Sequence, residues 1–324
     1  MITRVRPARS EGEIPAAASE AADLLRHGEV VAVPTETVYG LACDALNAAA
    51  AAKVFAAKER PSFDPLIVHV ADASAISRLS SASGSVLALA EQLANAFWPG
   101  PLTMVLPARD VVPDLVRSGL PTVALRCSAH PLMMALLSAL GSPVAAPSAN
   151  RFGRISPVTA EHVVEELDGR IPLVLDGGPC AHGLESTIVA VEDRGFTILR
   201  PGPVTREQLE PHAAVWSCVR GAAVSAPGML ESHYAPRTPL RLLAAGETPG
   251  ETADCGLLAF GPVVAAGFAA VESLPADGAA AAREFFAALR RLDAAGVRCI
   301  YAQSVPESGL GLAIMDRLRR ASHG

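Results

Sequence analysis

Short apolar runs alternate with alanine-rich, helix-period segments through the first two-thirds of the chain, and this limits the fold more than any other feature. Helices are expected at Ile14–Arg26, stopped by His27-Gly28, at Ala45–Arg60, ended by Pro61, and at Ser85–Phe97 and Pro131–Leu140. Ser156-Pro157, a cap followed by a first-turn proline, predicts another helix running to near Gly169. Strands are expected at Val30–Pro34, Leu66–Val70, Leu102–Pro107, Thr122–Cys127, Val144–Ala146 and Leu173–Asp176. Ser186–Val191 and Phe196–Arg200 form a hairpin turning at Asp193–Gly195. Strands separated by helices, with one hairpin, imply an α/β fold built on a mixed twisted sheet.

The periodicity fades between Val204 and Arg237, where Ala226-Pro227-Gly228 and Ala235-Pro236-Arg237-Thr238-Pro239 read as linker. Strands then return at Leu240–Leu243, Gly256–Phe260 and Val297–Gln303, with helices at Ala279–Ala295 and Leu310–Ser322, which suits a small Rossmann-like parallel sheet. The expected organisation is a catalytic unit over 1–208, a linker or lid over 209–238, and a second α/β unit over 239–324. The length of 324 residues fits two units of about 150 each.

Composition removes several classes. Half of the residues are hydrophobic, yet stretches such as Pro131–Pro147 are broken by Ser138, Gly141, Ser142 and Pro143. None gives the ~20 apolar residues that span a bilayer. The N-terminal stretch has no apolar core behind its charges, so neither a membrane nor a secretory location is expected. Cys43, Cys127, Cys180, Cys218, Cys255 and Cys299 are scattered without Cys-x-x-Cys spacing, and the histidines show no metal-like spacing. A reduced, cytoplasmic enzyme without a bound metal of its own is expected. The net charge of −6 excludes a broad basic nucleic-acid footprint. Among 27 basic residues only Lys53 and Lys58 are lysines, so each calls for a reason. Neither lies in a Gly-Lys-Ser/Thr P-loop.

Four segments place polar groups where apolar strands end. Pro34-Thr35-Glu36-Thr37-Val38-Tyr39-Gly40-Leu41 offers hydroxyls at a strand's carboxyl end, where open α/β sheets bind ligands, or forms an ordinary capped turn. In Lys58-Glu59-Arg60-Pro61, leading to Pro65 and His69, two cations suit a triphosphate; the alternative is a solvated helix end complementing the helix dipole. Lysine rarity tilts Lys58 to function, whereas Lys53 faces solvent. Arg126 closes the apolar run Thr122-Val123-Ala124-Leu125 and must be answered by a ligand carboxylate or by a protein one; both stay open. Ala146-Pro147-Ser148-Ala149-Asn150 combines small residues with two hydrogen-bonding side chains, as a ligand loop or as a Ser/Asn turn. Ser186, Arg200 and His233-Tyr234 are weaker candidates.

These segments, with Trp98-Pro99-Gly100-Pro101-Leu102-Thr103, Glu185-Ser186-Thr187 and Leu199–Gly202, occur in the order seen in YrdC-like domains. The chain resembles the threonylcarbamoyl-AMP synthase family in its long two-domain form, with Pro227-Gly228-Met229 and His233-Tyr234-Ala235-Pro236 resembling that form's linker. The resemblance implies that L-threonine, bicarbonate and ATP give threonylcarbamoyl-adenylate and pyrophosphate. A separate transferase then passes the threonylcarbamoyl group to tRNA, so contact with tRNA is expected to be indirect or weak. It further implies that Thr35, His69, Arg126, the backbone at Ala146 and Ser186 hold threonine. Lys58, Arg60, Thr122, Ser148, Asn150, Arg200 and Tyr234 line the ATP site, with Lys58 and Arg60 catalytic and Mg2+ on the phosphates. Where many relatives carry asparagine, this chain has Asp64. Two rival readings are a YrdC-like carbamoyltransferase acting through carbamoyl-adenylate and a non-catalytic RNA-binding module.

Overall fold

The computed structural model describes residues 2–217, 226–230, 232–244, 246–247, 249–250, 252–262 and 267–323. Cys218, positions 219–225 of the expected linker and Glu231 lie outside the described residues.

The first unit begins with β1 (Arg4–Pro7), α1 (Ile14–Arg26), β2 (Val31–Val33), β3 (Gly40–Asp44) and α2 (Ala48–Lys58). It continues through β4 (Ile67–His69), α3 (Ala75–Leu79), α4 (Gly84–Phe97), β5 (Leu102–Pro107), α5 (Asp114–Arg117) and β6 (Thr122–Arg126). Then follow α6 (Pro131–Leu140), β7 (Val144–Ala145), α7 (Ala160–Leu167), β8 (Leu173–Asp176), β9 (Thr187–Glu192), β10 (Gly195–Arg200), α8 (Arg206–Leu209) and β11 (Ala214–Ser217). Among the described residues these strands form one mixed sheet in the order β1-β8-β2-β3-β7-β4-β6-β5-β9-β10-β11. It combines parallel pairs such as β4–β6 with antiparallel pairs such as β5–β6.

Local chemistry explains the helices beside the site. On α1, Ala17, Ala18, Ala21, Ala22 and Leu25 recur at helical spacing and pack with Leu132, Met133, Leu136 and Leu137 of α6 in one apolar cluster. Asn47 caps α2, its side chain accepting from the amides of Ala49 at 3.0 Å and Ala50 at 3.1 Å. At the other end Glu59 turns left-handed (φ 54°) and the Arg60 amide returns to the Phe55 carbonyl at 3.0 Å. That turn carries Arg60 into the interior instead of along a solvated helix face.

The second unit contains β12 (Leu240–Leu242), β13 (Gly256–Phe260), β14 (Ala270–Leu274), α9 (Gly278–Ala294), β15 (Ile300–Ala302) and α10 (Leu310–Ala321). Its strands form an all-parallel sheet, β12-β15-β13-β14. Phe285, Phe286 and Leu289 of α9 join the same apolar cluster as Leu102 and Val189 of the large sheet, so the two units share a continuous core. The approach is close at Gly183, where a Cβ would stand 2.4 Å from the Arg283 carbonyl oxygen of α9.

The structure departs from the sequence reading in places. The turn after β2 leads into a strand, β3, rather than a capped helix. α7 starts at Ala160 with Thr159 accepting from the His162 amide, because the Ser156 hydroxyl is bound to Glu185 instead. β1, β11 and β14 fall outside the expected strands: β1 is only four residues long and exposed along its whole length, so no buried face marks it.

Candidate functional site

One cavity opens over the middle strands of the large sheet. Its walls are Thr35, Thr37 and Val38 of the β2–β3 turn, Gly40 of β3, Ile67 and His69 of β4, Arg126 at the end of β6, and Ala146–Ser148 after β7. Arg60 after α2, Glu185 and Ser186 before β9, Arg200 at the end of β10, and Pro227, Gly228, His233 and Tyr234 complete it. It is tight: about 40 Å3 is open to the centre of a water molecule.

The threonines of the turn fold it. Thr35 Oγ1 accepts from the amides of Thr37 at 3.1 Å and Val38 at 3.2 Å and donates to the Val38 carbonyl at 2.7 Å. This sends Glu36 inward against Arg126, with Nη2 2.7 Å from Oε1 and the Ser128 hydroxyl donating to Oε2. Burial opposes ionisation of Glu36, but Arg126 and Ser128 overcome it and hold the carboxyl at about 2. The protein carboxylate therefore answers the buried arginine. Arg126 still lines the cavity: Nε reaches the Gly100 carbonyl, at 3.4 Å, and among the described residues Nη1 makes no hydrogen bond. His69 lies beside it in the parallel register of β4 and β6. Burial, aided by Arg126, pushes His69 down to about 3, so its ring is neutral, and Nδ1 has no partner.

Across the cavity Arg200 donates to the Ser186 carbonyl from Nε at 3.1 Å and from Nη2 at 3.0 Å, and to the Ser186 hydroxyl from Nη2 at 3.1 Å. The same hydroxyl lies 2.8 Å from Thr103 Oγ1. Arg60 donates to the Asp64 carbonyl at 3.0 Å and the Pro65 carbonyl at 2.8 Å. Its Nη2 stands 2.9 Å from Asp64 Oδ2, an ion pair without hydrogen-bond alignment. Burial raises the Asp64 carboxyl despite Arg60, Lys58 and Arg200 nearby.

Lys58 is placed differently from expectation. It is fully buried behind the wall, its ammonium donating to the Ser148 carbonyl and, at 2.5 Å, to the Asn150 carbonyl. Burial, reinforced by Arg60, pushes it well below the usual lysine range. Asn150 also lies behind the wall, donating to the carbonyls of Arg151 at 2.7 Å and Arg154 at 2.9 Å. Thr122 stands apart, at the opposite end of β6 from Arg126 and across from Pro107. Lys53 pairs with Glu29 on the surface, as its sequence setting implied.

The segment around Tyr234 closes the cavity. Ala226 and Met229 pack with Ile67, Val105, Ala124, Ile188 and Leu199 on the sheet. Tyr234 is buried in the left-handed region (φ 63°), and among the described residues its hydroxyl meets no partner in hydrogen-bond geometry. Gly228 makes room for it: a Cβ there would lie 2.5 Å from the Tyr234 hydroxyl. Sequence reasoning ranked His233 low although it lines the cavity, and it did not pair Glu36 with Arg126. Arg317 was missed altogether, although it falls on the buried stripe of α10 with Ile314, Leu318 and Ala321.

A family model described as "Telomere recombination" (Sua5, YciO, YrdC) matches residues 23–202, and one described as "Threonylcarbamoyl-AMP synthase, C-terminal domain" matches 204–323. Threonylcarbamoyl-AMP synthase of Bacillus subtilis is 41% identical, over 94% of this chain and 93% of its own length. The Vibrio cholerae protein of that name is 37% identical, but 96% of its length is matched by 56% of this chain. The crystal structure of Pyrococcus abyssi Sua5 complexed with L-threonine superposes with a TM-score of 0.89 and 37% identity, covering 100% of this chain and 98% of that one. The chain thus belongs to the threonylcarbamoyl-AMP synthase family, with both the Sua5/YrdC unit and the C-terminal unit present.

Proposed function

We propose that this chain is an L-threonylcarbamoyladenylate synthase, condensing L-threonine, bicarbonate and ATP to threonylcarbamoyl-AMP, pyrophosphate and water. The observation that carries the reading is the Ser186–Arg200 junction, which joins two chemically different ends in one cavity. At one end Thr35, His69, Arg126, the backbone of Ala146 and Ser186 would hold the amino acid, with Arg126 Nη1 available for its carboxylate. At the other, Arg60, Ser148, Arg200 and Tyr234 would face the phosphates, and Lys58 and Asn150 would brace the Ser148 loop from behind. Thr122 has no place in this arrangement unless the site rearranges around ATP.

The threonine amine captures CO2, and the resulting carbamate attacks the α-phosphate, expelling pyrophosphate. No covalent protein nucleophile is required. Catalysis rests on holding carbamate and α-phosphate in line and on meeting the spreading negative charge with Arg60 and Arg200. Mg2+ would enter on ATP and shield its phosphates. Asp64 is engaged by Arg60, its Oδ2 2.9 Å from Nη2. Nucleotide pockets need several hundred Å3, so Pro227, Gly228, His233 and Tyr234 would withdraw for ATP to enter and return to exclude water.

Transfer of the product to tRNA would belong to another enzyme, and a cytoplasmic setting suits that role; among the described residues no helix is long and apolar enough to cross a membrane. The test is pyrophosphate release with and without L-threonine and bicarbonate, with the adenylate identified by mass. Release that ignores threonine would refute the proposal and favour carbamoyl transfer.

A further inference from the structure

Arg317 comes from α10 of the second unit, yet its side chain is fully buried against the wall of the cavity. Its Nε donates to Glu185 Oε2 at 3.0 Å, and Nη1 donates to the Pro201 carbonyl at 2.7 Å and to Asp316 Oδ2 at 2.9 Å. The guanidinium lies 5.3 Å from the centre of the Tyr234 ring. Glu185, whose other oxygen accepts from the Ser156 hydroxyl, lines the cavity next to Ser186. Pro201 follows Arg200. One guanidinium therefore grips both strand ends that present Ser186 and Arg200, and it lies against the ring that closes the space between them. It also meets the charge of a carboxylate that is 6% exposed and faces a cavity meant for a triphosphate.

We propose that Arg317 is a positioning residue of the adenylation site, supplied by the C-terminal unit: it neutralises Glu185 and fixes the Ser186–Arg200 wall. This rests on the synthase reading for the identity of the anion. Without Arg317, Glu185 becomes a stranded buried charge beside the phosphates, repelling them. With Glu185 also neutral, that repulsion disappears although the grip on Pro201 is still lost. The C-terminal unit then serves as part of the ATP site's electrostatics as well as a covering module.

The test uses the full-length protein and its R317M, R317K, E185Q and E185Q/R317M variants. Affinity for a non-hydrolysable ATP analogue is measured by titration calorimetry, and KM is measured for ATP and threonine. R317M is expected to weaken ATP binding by about tenfold or more. Threonine KM should move by less than about threefold, and the double variant should return to within about threefold of E185Q. R317K, which keeps the charge but loses the fork and the ring contact, should bind ATP more tightly than R317M and less tightly than wild type, and it supplies the reading if R317M does not fold. The unfolding midpoint should fall furthest in R317M, where Glu185 is left unpaired, and recover in part in the double variant; affinities are compared at a temperature where every variant is folded, so that stability and affinity separate. ATP affinity unchanged in R317M, or lowered equally in R317M and the double variant, or lost in R317K, would overturn the proposal. Threonine-dependent turnover with unaltered ATP affinity in R317M refutes Arg317's role alone, whereas threonine-independent turnover refutes the synthase reading and leaves the binding comparison standing.

Discussion

Replacing Glu36 with glutamine isolates the charge at the centre of the threonine end. The Glu36 and Arg126 side chains are 8% and 4% exposed and 2.7 Å apart, so solvent screens the pair little. The carboxyl falls from 4.5 to about 2 on folding, because Arg126 and the Ser128 hydroxyl outweigh its burial. At roughly 1.4 kcal/mol per pH unit, ionised Glu36 contributes about 3 kcal/mol to stability at neutral pH. Removing one partner of a buried pair independently costs about 3–5 kcal/mol. The group is depressed in the folded state, so its contribution is complete above about 4.5 and is lost as pH falls towards 2. Urea unfolding of wild type and E36Q at stepped pH should give a gap of about 3 kcal/mol at pH 7 that closes through this window. Other carboxylates titrate in both proteins and cancel in the difference. A gap that stays constant from neutral to acid pH, or is absent at pH 7, would show that the pair does not hold Glu36 charged.

Lys58→Met should leave the Ser148 and Asn150 carbonyls without their donor, lowering stability by about 2–4 kcal/mol in thermal unfolding. Because Ser148 lines the cavity, ATP affinity should fall more than threonine affinity in calorimetry; equal losses would make Lys58 purely structural. Gly228→Ala places a Cβ 2.5 Å from the Tyr234 hydroxyl and 3.1 Å from Arg200 Nη1, at a φ of +78°. The conformation alone costs about 1–2 kcal/mol, and displacement of Tyr234 should slow pyrophosphate release beyond what the lost stability explains. Wild-type turnover would mean that Tyr234 closure is dispensable.

Much of the scaffold could be read locally. α1, α6, β5 and β8 begin and end where the apolar period and flanking residues place them, because each is set by neighbours within a few turns. A strand without a buried face escapes that reading: β1 is exposed throughout and owes its place to pairing with β8, about 170 positions away. Ser156 illustrates the competition, being a good cap by local rules whose hydroxyl a distant carboxylate claims.

The candidate residues divide the same way. Residue type and motif order are enough to single out Thr35, Arg60, His69, Arg126, Ser148, Ser186, Arg200 and Tyr234, all of which line the cavity. They are not enough to say whose charge meets whose. Glu36 and Arg126 are 90 positions apart, Glu185 and Arg317 are 132 apart, and Lys58 reaches the carbonyls of Ser148 and Asn150 over a similar span. Lys58 shows the consequence: its rarity marks it as purposeful, but only the tertiary structure shows it buried with its amine on the Ser148 and Asn150 carbonyls. Periodicity and caps act over a few residues and are written in the chain, whereas the desolvation and pairing of a charge depend on which surfaces the folded chain brings together.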